Sequence, residues 1–353
     1  MVQNHIGPGA ALALLSAALF GASTPFAKLL VGSVEPWLLA GLLYLGSGLG
    51  LAVAQLARHA IGIAPAEAPL RRADLPWLAL VVLFGGMMGP VLLMIGLTRT
   101  DAAAAALLLN LEGLFTLVIA WTMFRENVDR RIALGAAAIL VGALVLSWNP
   151  DADAELSWGA LVIAGACLAW GIDNNLTRKL SAADPIQIAT IKGLGAGAVN
   201  LILAMSLGAS WPSTGAVMAA GVVGLLGYGV SLVLFVLALR HVGTARTGAY
   251  FSTAPFLGAL LAFVLLDEAV TVQLAIAAVL MGIGVWLHLT EHHEHEHVHE
   301  PIVHEHRHVH DEHHAHAHGP DDPAGEPHVH VHVHARLVHR HPHYPDIHHR
   351  HTH

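Results

Sequence analysis

The sequence predicts an all-α integral membrane protein: ten transmembrane helices in two inverted five-helix repeats, plus a disordered C-terminal tail. Three observations carry that prediction. Only 12% of the residues are charged, against about 25% in soluble domains, and the mean hydropathy is +0.60. Residues 1–290 fall into long apolar runs joined by short polar turns, whereas 291–353 are polar. The two halves of the apolar region also carry similar landmarks in the same order.

A helix that crosses hydrocarbon needs roughly 17–25 mostly apolar residues. Ten runs qualify, at 10–31, 36–56, 76–97, 102–124, 130–148, 158–176, 186–207, 214–239, 244–266 and 271–290. They are too long and continuous for strands and lack period-two alternation. The first run has no basic leader and no small-x-small site followed by a soluble domain, so it reads as a span rather than a cleaved signal. The chain therefore divides into a short segment 1–9, a first half 10–148, a linker 149–157, a second half 158–290 and the tail 291–353.

Lys and Arg bias sets orientation. One set of alternate loops holds Arg58, Arg71, Arg72, Arg125, Arg130, Arg131, Arg178, Lys179, Arg240 and Arg246. The opposite set holds Arg99 beside acids at Glu35, Asp151, Asp153, Glu155, Asp267 and Glu268. The bias places both termini, and the tail, in the cytoplasm.

The repeat is visible in short motifs. FRENV (124–128) closes span 4 and LDEAV (266–270) closes span 9; LGSG (45–48) follows Pro36 and LGAG (194–197) follows Pro185. FGASTPFAKLL (20–30) in span 1 answers WGIDNNLTRKL (170–180) in span 6. Five spans per half force the second half to enter from the opposite face, the inverted architecture of many secondary transporters. With Gly135 and Gly142 in span 5, and Gly282 and Gly284 in span 10, these motifs give residues 10–290 a resemblance to the EamA-type branch of the drug/metabolite transporter superfamily. That resemblance implies ten helices in inverted repeats, export of small solutes such as amino acids and metabolites, and a contribution of spans 3 and 8 to the path. The expected location is the inner membrane of a bacterium, and the architecture is compatible with a homodimer. The histidine-rich tail is no part of the usual family pattern.

Charges inside hydrocarbon need a partner or a cavity. Glu112 in span 4, Asp173 in span 6 and Lys192 in span 7 are such charges. Asp173 and Lys192 fall at similar depths on consecutive helices, which suits a structural ion pair or a substrate path. Glu112 has no such partner on an adjacent span, although Lys192 would reach it if spans 4 and 7 approach. A carboxyl in low dielectric can hold a proton, which makes Glu112 the leading candidate for proton coupling or cation binding.

Interrupted helices at matched positions mark transporter sites. The matched pairs are Ser23, Thr24 and Pro25 with Asp173, Asn174 and Asn175, and Asn110 to Gly113 with Ser252, Thr253, Ala254 and Pro255. Pro25 and Pro255 each remove a backbone donor and are expected to kink or break a helix. Spans 1, 4, 6 and 9 are thus expected to line one cavity. Glycines crowd spans 3, 7 and 8, where close packing explains them.

The tail holds 24 of the 28 histidines and carries −7 of the formal −8 charge. Imidazole is the commonest ligand for divalent transition metals. The candidate ligands are His292, His293, His295, His297, His299, His304, His306, His308, His310, His313, His314, His316, His318, His328, His330, His332 and His334. Their composition points to binding of Zn²⁺, Ni²⁺ or Co²⁺ by a segment without a core; a pH-responsive or solvating tail is the plainer reading.

Three functions fit: a proton-linked exporter of small organic solutes, a divalent-metal efflux transporter fed by the tail, and a membrane-anchored metal buffer or sensor. No hydrolase, redox or phosphate-loop motif appears, so no enzyme activity, required cofactor or nucleic-acid partner is expected. The single cysteine, Cys167, precludes an intramolecular disulfide.

Overall fold

The computed structural model describes residues 8–62, 70–124, 130–148, 157–177, 180, 184–235, 237–238, 247, 250–290, 294–299, 302–308, 328–334 and 337–342. They form two units, Met1–Glu291 and His292–His353.

In the first unit the apolar runs are helices: α1 (Pro8–Val31), α2 (Pro36–Ala60), α3 (Arg72–Leu97), α4 (Ala102–Met123), α5 (Arg130–Ser147), α6 (Trp158–Thr177), α7 (Pro185–Ser206), α8 (Thr214–Phe235), α9 (Ala254–Leu266) and α10 (Val272–Leu289). Among the described residues, nine of them are long and apolar enough to cross a membrane. The span expected at 244–266 is described as a continuous helix only over α9, and much of its first half lies outside the described residues.

Local chemistry sets the helix starts. Pro36 and Pro185 occupy first turns, where their missing N–H costs nothing. The side chains of Asp184, Ser213 and Thr271 accept from the backbone of Ile186 (2.8 Å), Ala216 (3.3 Å) and Leu274 (3.1 Å), which satisfies donors a helix leaves open.

The packing has two-fold character. Helix α2 lies on α7, α5 on α10, and α4 on α9. The remaining pairs come in exchanged partners: α4 on α6 answers α9 on α1, α3 on α6 answers α8 on α1, and α2 on α8 answers α7 on α3. The LGSG and LGAG landmarks meet where α2 crosses α7: a Cβ added to Gly193 would stand 2.7 Å from the Gly48 Cα. Only residues without side chains permit that approach.

Both repeats widen one helix at the same place. Val82–Met88 in α3 and Leu225–Val230 in α8 are π-helical. Met88 lies 38 positions before Glu126 and Val230 lies 38 before Glu268. Such turns are rare and interrupt the regular hydrogen-bond ladder.

The turn between α3 and α4 is gripped from both sides. Lys28 Nζ, near the end of α1, donates to the carbonyls of Leu97 (2.6 Å) and Thr100 (2.7 Å). Both carboxylate oxygens of Glu268 accept from the first turn of α4, at Ala102 N (2.7 Å) and Ala103 N (2.8 Å). A cation thus sits at a helix C-terminus and an anion at an N-terminus, as the helix dipoles favour. Asp267, in the left-handed conformation with φ 52°, ends α9 just before this cap.

In the second unit, β1 (Glu294–His299) pairs antiparallel with β4 (Leu337–Pro342), and β2 (Ile302–His308) with β3 (His328–His334). Alternation of His with Val supplies the period-two, β-branched pattern that favours strands.

Candidate transport site

The site is built around the π-turn of α3. Its sequence, VLFGGMM, lacks side chains at Gly85 and Gly86. The Gly85 carbonyl accepts from Tyr44 Oη of α2 (2.7 Å) and from Trp170 Nε1 of α6 (3.0 Å). The Gly86 carbonyl accepts from Asn200 Nδ2 of α7 (3.2 Å). Three helices therefore send donors to backbone groups in this one turn, away from the water that could otherwise satisfy them.

Against the same turn lies an ion pair. Lys192 Nζ of α7 donates to Asp173 Oδ2 of α6. Asp173 is 4% exposed, and the Thr177 hydroxyl reaches its other oxygen only at 3.4 Å. A Cβ on Gly85 would strike the Asp173 carboxylate and stand 2.5 Å from Lys192 Nζ. The bare backbone of Gly85 is what lets the pair sit there.

Glu112 belongs to a neighbouring polar cluster across α4 and α6. Asn174 Nδ2 donates to Glu112 Oε1 (2.9 Å) and to Thr116 Oγ1 (3.2 Å). Asn175 Nδ2 donates to the carbonyls of Thr116 (3.1 Å) and Gly171 (2.9 Å). Asn174 and Gly113 are exposed and Glu112 is half-buried, and a Cβ on Gly113 would meet nothing within 4 Å. Inside a bilayer, an open carboxyl and amide belong beside a water-filled space rather than lipid. The direct partner of Glu112 is thus the Asn174 amide, while Lys192 binds Asp173.

The interruptions fall differently from the sequence expectation at one matched pair. Helix α1 runs unbroken through Pro25, and α6 through Asp173, Asn174 and Asn175. Pro25 frees the Gly21 carbonyl, which lies against α9: a Cβ on Gly258 would stand 2.6 Å from it. Packing against a neighbouring helix tolerates the lost hydrogen bond. The second matched pair is interrupted. Helix α4 breaks at Leu109, where Leu109 N and Glu112 N bond three residues back to Ala106 O (3.2 Å) and Leu109 O (3.0 Å). Span 9 breaks at Ser252–Thr253, where Thr253 N bonds Tyr250 O (3.2 Å) and Phe256 N bonds Thr253 O (3.1 Å). Pro255 opens α9 in its first turn. Asn110 Nδ2 serves the break in α4 by donating to Leu107 O (2.8 Å).

Where α1 meets α8, the place related by exchange to α6 on α3, neutral groups answer the ion pair. Ser23 of α1 packs on Gly227 of the α8 π-turn, where a Cβ would stand 2.6 Å from Ser23 Cβ. Ser23 Oγ donates to Phe20 O (2.6 Å), and Thr24 is buried beside it. Aromatic rings continue from there. Tyr44 meets Tyr228 (5.4 Å), Tyr228 meets Phe20 (6.1 Å), Phe20 meets Phe251 (5.3 Å) and Phe251 meets Phe235 (4.9 Å). One end of this row touches the polar turn of α3 through Tyr44.

Sequence reasoning missed Tyr44, Trp170 and Asn200. The signal was available: each is a donor-bearing side chain inside an apolar run, and such donors need acceptors. An apolar cavity of about 160 Å³, lined by residues including Leu107, Phe256, Phe263 and Leu274, lies apart from these groups and offers no polar recognition. Among the described residues, no group of three or more His, Cys, Asp or Glu gathers as a metal site. Of the candidate tail ligands, His292, His293, His310, His313, His314, His316 and His318 lie outside the described residues, and for the others only the strand backbone is described.

Comparison with known proteins agrees with this architecture. Residues 7–148 and 157–290 each match the EamA-like transporter family. An "uncharacterized transporter" of Methanothermobacter thermautotrophicus is 29% identical over 282 residues, covering 76% of this chain and 82% of that protein. A "probable terminal-alkyne amino-acid exporter" of Streptantibioticus cattleyicolor is 27% identical over 247 residues, covering 67% and 82%. A solved crystal structure superposes with a TM-score of 0.58 at 21% identity, over 78% of this chain and 95% of that one, which shows the shared fold. The two family matches fall on the two halves that the helix pairing relates by exchange: the chain belongs to the EamA-like transporter family and is a helical membrane transporter.

Proposed function

We propose that the protein exports small organic solutes, amino acids or related metabolites, by proton-linked alternating access. The observation that carries this reading is the open Glu112–Asn174–Thr116 cluster beside the Asp173–Lys192 pair, of which Asp173 is buried and Lys192 partly exposed. The pair offers one charge of each sign, which complements a zwitterion. The aromatic row offers an apolar surface for its side chain. Glu112 is the group that exchanges protons, and the Asn174 amide holds it in place. Similarity to the Streptantibioticus cattleyicolor exporter adds support for an amino-acid substrate. The ten-to-one bias of basic residues puts the tail on the cytoplasmic side, where an exporter loads.

The tail is read as binding divalent metal. Metal efflux by the membrane unit is the weaker reading, favoured by the tail alone. Proteoliposomes tested against an amino-acid panel under an imposed pH gradient separate the two. Glu112→Gln keeps a hydrogen-bond acceptor for Asn174 and should abolish the dependence on the gradient while the protein still folds. Retained dependence would remove Glu112 from the coupling role. Transport of Zn²⁺, Ni²⁺ or Co²⁺ with no response to any organic solute would overturn the reading.

A further inference from the structure

Helices α5 and α10 pack on each other and otherwise meet α4, and one matched position in each reaches for the far end of its partner. Gln273 lies 142 positions after Arg131, the spacing that separates the closing glutamates Glu126 and Glu268. Gln273 Nε2 donates to the carbonyls of Val145 (2.5 Å) and Trp148 (2.7 Å) at the end of α5. Arg131 makes the corresponding reach to the end of α10, where Nη2 donates to Thr290 Oγ1 (2.5 Å). A neutral amide does this work in the second repeat. The guanidinium of the first repeat brings a charge that the contact does not use.

That charge has no anion beside it. Of the three guanidinium nitrogens, Nη2 alone finds an acceptor among the described residues, and Nε is buried without one. Arg131 forms no ion pair with any described residue, although partly buried charges are ordinarily paired. Its other contact is the Trp286 ring, whose centroid lies 5.4 Å from Cζ. Such a ring attracts a cation without neutralising it. Trp286 is 57% exposed, and Arg130, the preceding residue, is exposed and adds a second positive charge. Leu134 and Ile283, one turn along the same helix faces from Arg131 and Trp286, are exposed as well.

We propose that Arg131 and Trp286 form a binding site for the headgroup of an anionic phospholipid, with the guanidinium on the phosphate diester and an acyl chain along Leu134 and Ile283. The planar fork of arginine suits phosphate oxygens. Tryptophan favours the depth of the headgroups, so the cation beside it stands level with the phosphates. The loops at this end of α5 carry the excess of Lys and Arg, and an anionic leaflet attracts basic residues that flank helix ends. A free phosphate ion would find the same charge but would gain nothing from the apolar strip that leads away from it. The site uses none of the groups of the transport site and is independent of the solute carried.

The test is native mass spectrometry of the full-length protein in detergent, titrated with phosphatidylglycerol or with phosphatidylcholine. The wild type should bind its first phosphatidylglycerol about fivefold more tightly than phosphatidylcholine, the order expected of one basic side chain at an anionic surface. Arg131→Gln should lose that preference. Glutamine is what the second repeat carries at this position, so the fold should stand, as an unchanged size-exclusion profile would show. Trp286→Leu should reduce the preference. Arg72→Gln, an exposed arginine that the charge bias puts on the same side, should keep it. Inorganic phosphate should not displace the lipid from the wild type. No preference in the wild type, or an equal one in Arg131→Gln, would overturn the site. A loss as large in Arg72→Gln would reduce it to general surface charge, and displacement by inorganic phosphate would overturn the lipid as its ligand.

Discussion

Replacing Lys192 by Met removes a cation and little else, because methionine follows much the same stem. Asp173 then remains 4% exposed, with one long contact from Thr177 Oγ1 at 3.4 Å. Removing one partner of a buried pair costs about 3–5 kcal/mol. The orphaned carboxylate can escape part of that by taking up a proton. For an aspartate of ordinary pKa near 3.9, neutralisation at pH 7 costs about 4 kcal/mol, which caps the penalty. At roughly 2–4 °C per kcal/mol, the figure for domains of about 150–250 residues, Lys192→Met should lower the unfolding midpoint by about 6–16 °C. The double variant Asp173→Asn, Lys192→Met leaves no buried charge and should recover to within about 1 kcal/mol of wild type. Midpoints are read from heated, detergent-solubilised protein by fluorescence-detected size exclusion. Transport should be lost in both variants if the pair receives the solute, so stability and activity should part company in the double variant. The reasoning fails if the double variant is as unstable as the single, or if the single lies within 1 kcal/mol of wild type.

Other perturbations test the parts around the pair. Gly85→Ala should cost about 1–3 kcal/mol as an overpacking change and abolish most transport, because its Cβ displaces the Asp173 carboxylate; Gly195→Ala, whose nearest contact would be Val82 Cγ1 at 3.8 Å, should leave both unchanged. Tyr44→Phe and Trp170→Phe should each cost about 1 kcal/mol. Together they should cost more than the sum, because the Gly85 carbonyl loses both donors and is left buried and unsatisfied, as thermal unfolding of the three variants would read. Glu268→Ala should cost about 1–2 kcal/mol through the lost cap on α4, measured the same way.

Much of this was legible in the chain. Length and apolarity located the helices, and the landmarks LGSG, LGAG and the two closing glutamates exposed the repeat. Equal depth on consecutive helices brought Asp173 and Lys192 into consideration as a pair, and the structure joins them. What escaped was anything set by backbone geometry. The π-turns follow from how α3 and α8 meet their neighbours, and the glycines that permit them read equally well as packing residues. Pro25 misled because a proline signals a lost hydrogen bond, not where a neighbouring helix makes that loss tolerable. Glu268 was recognised as a landmark, but its role depends on α4 lying beside the end of α9, a contact across 166 positions of sequence.

The grip on the turn between α3 and α4 bears on how the molecule idles. Four hydrogen bonds from Lys28 and Glu268 converge there, each with one charged partner. Any conformer that parts this end of the bundle must give them up before it gains anything. Under the alternating access proposed above, an unoccupied protein should rest with this end shut. A solute that bound both conformers equally would leave that preference untouched however tightly it bound. Turnover requires a passenger whose contacts improve as the grip lets go, so selectivity would reside as much in the opening step as in the first encounter.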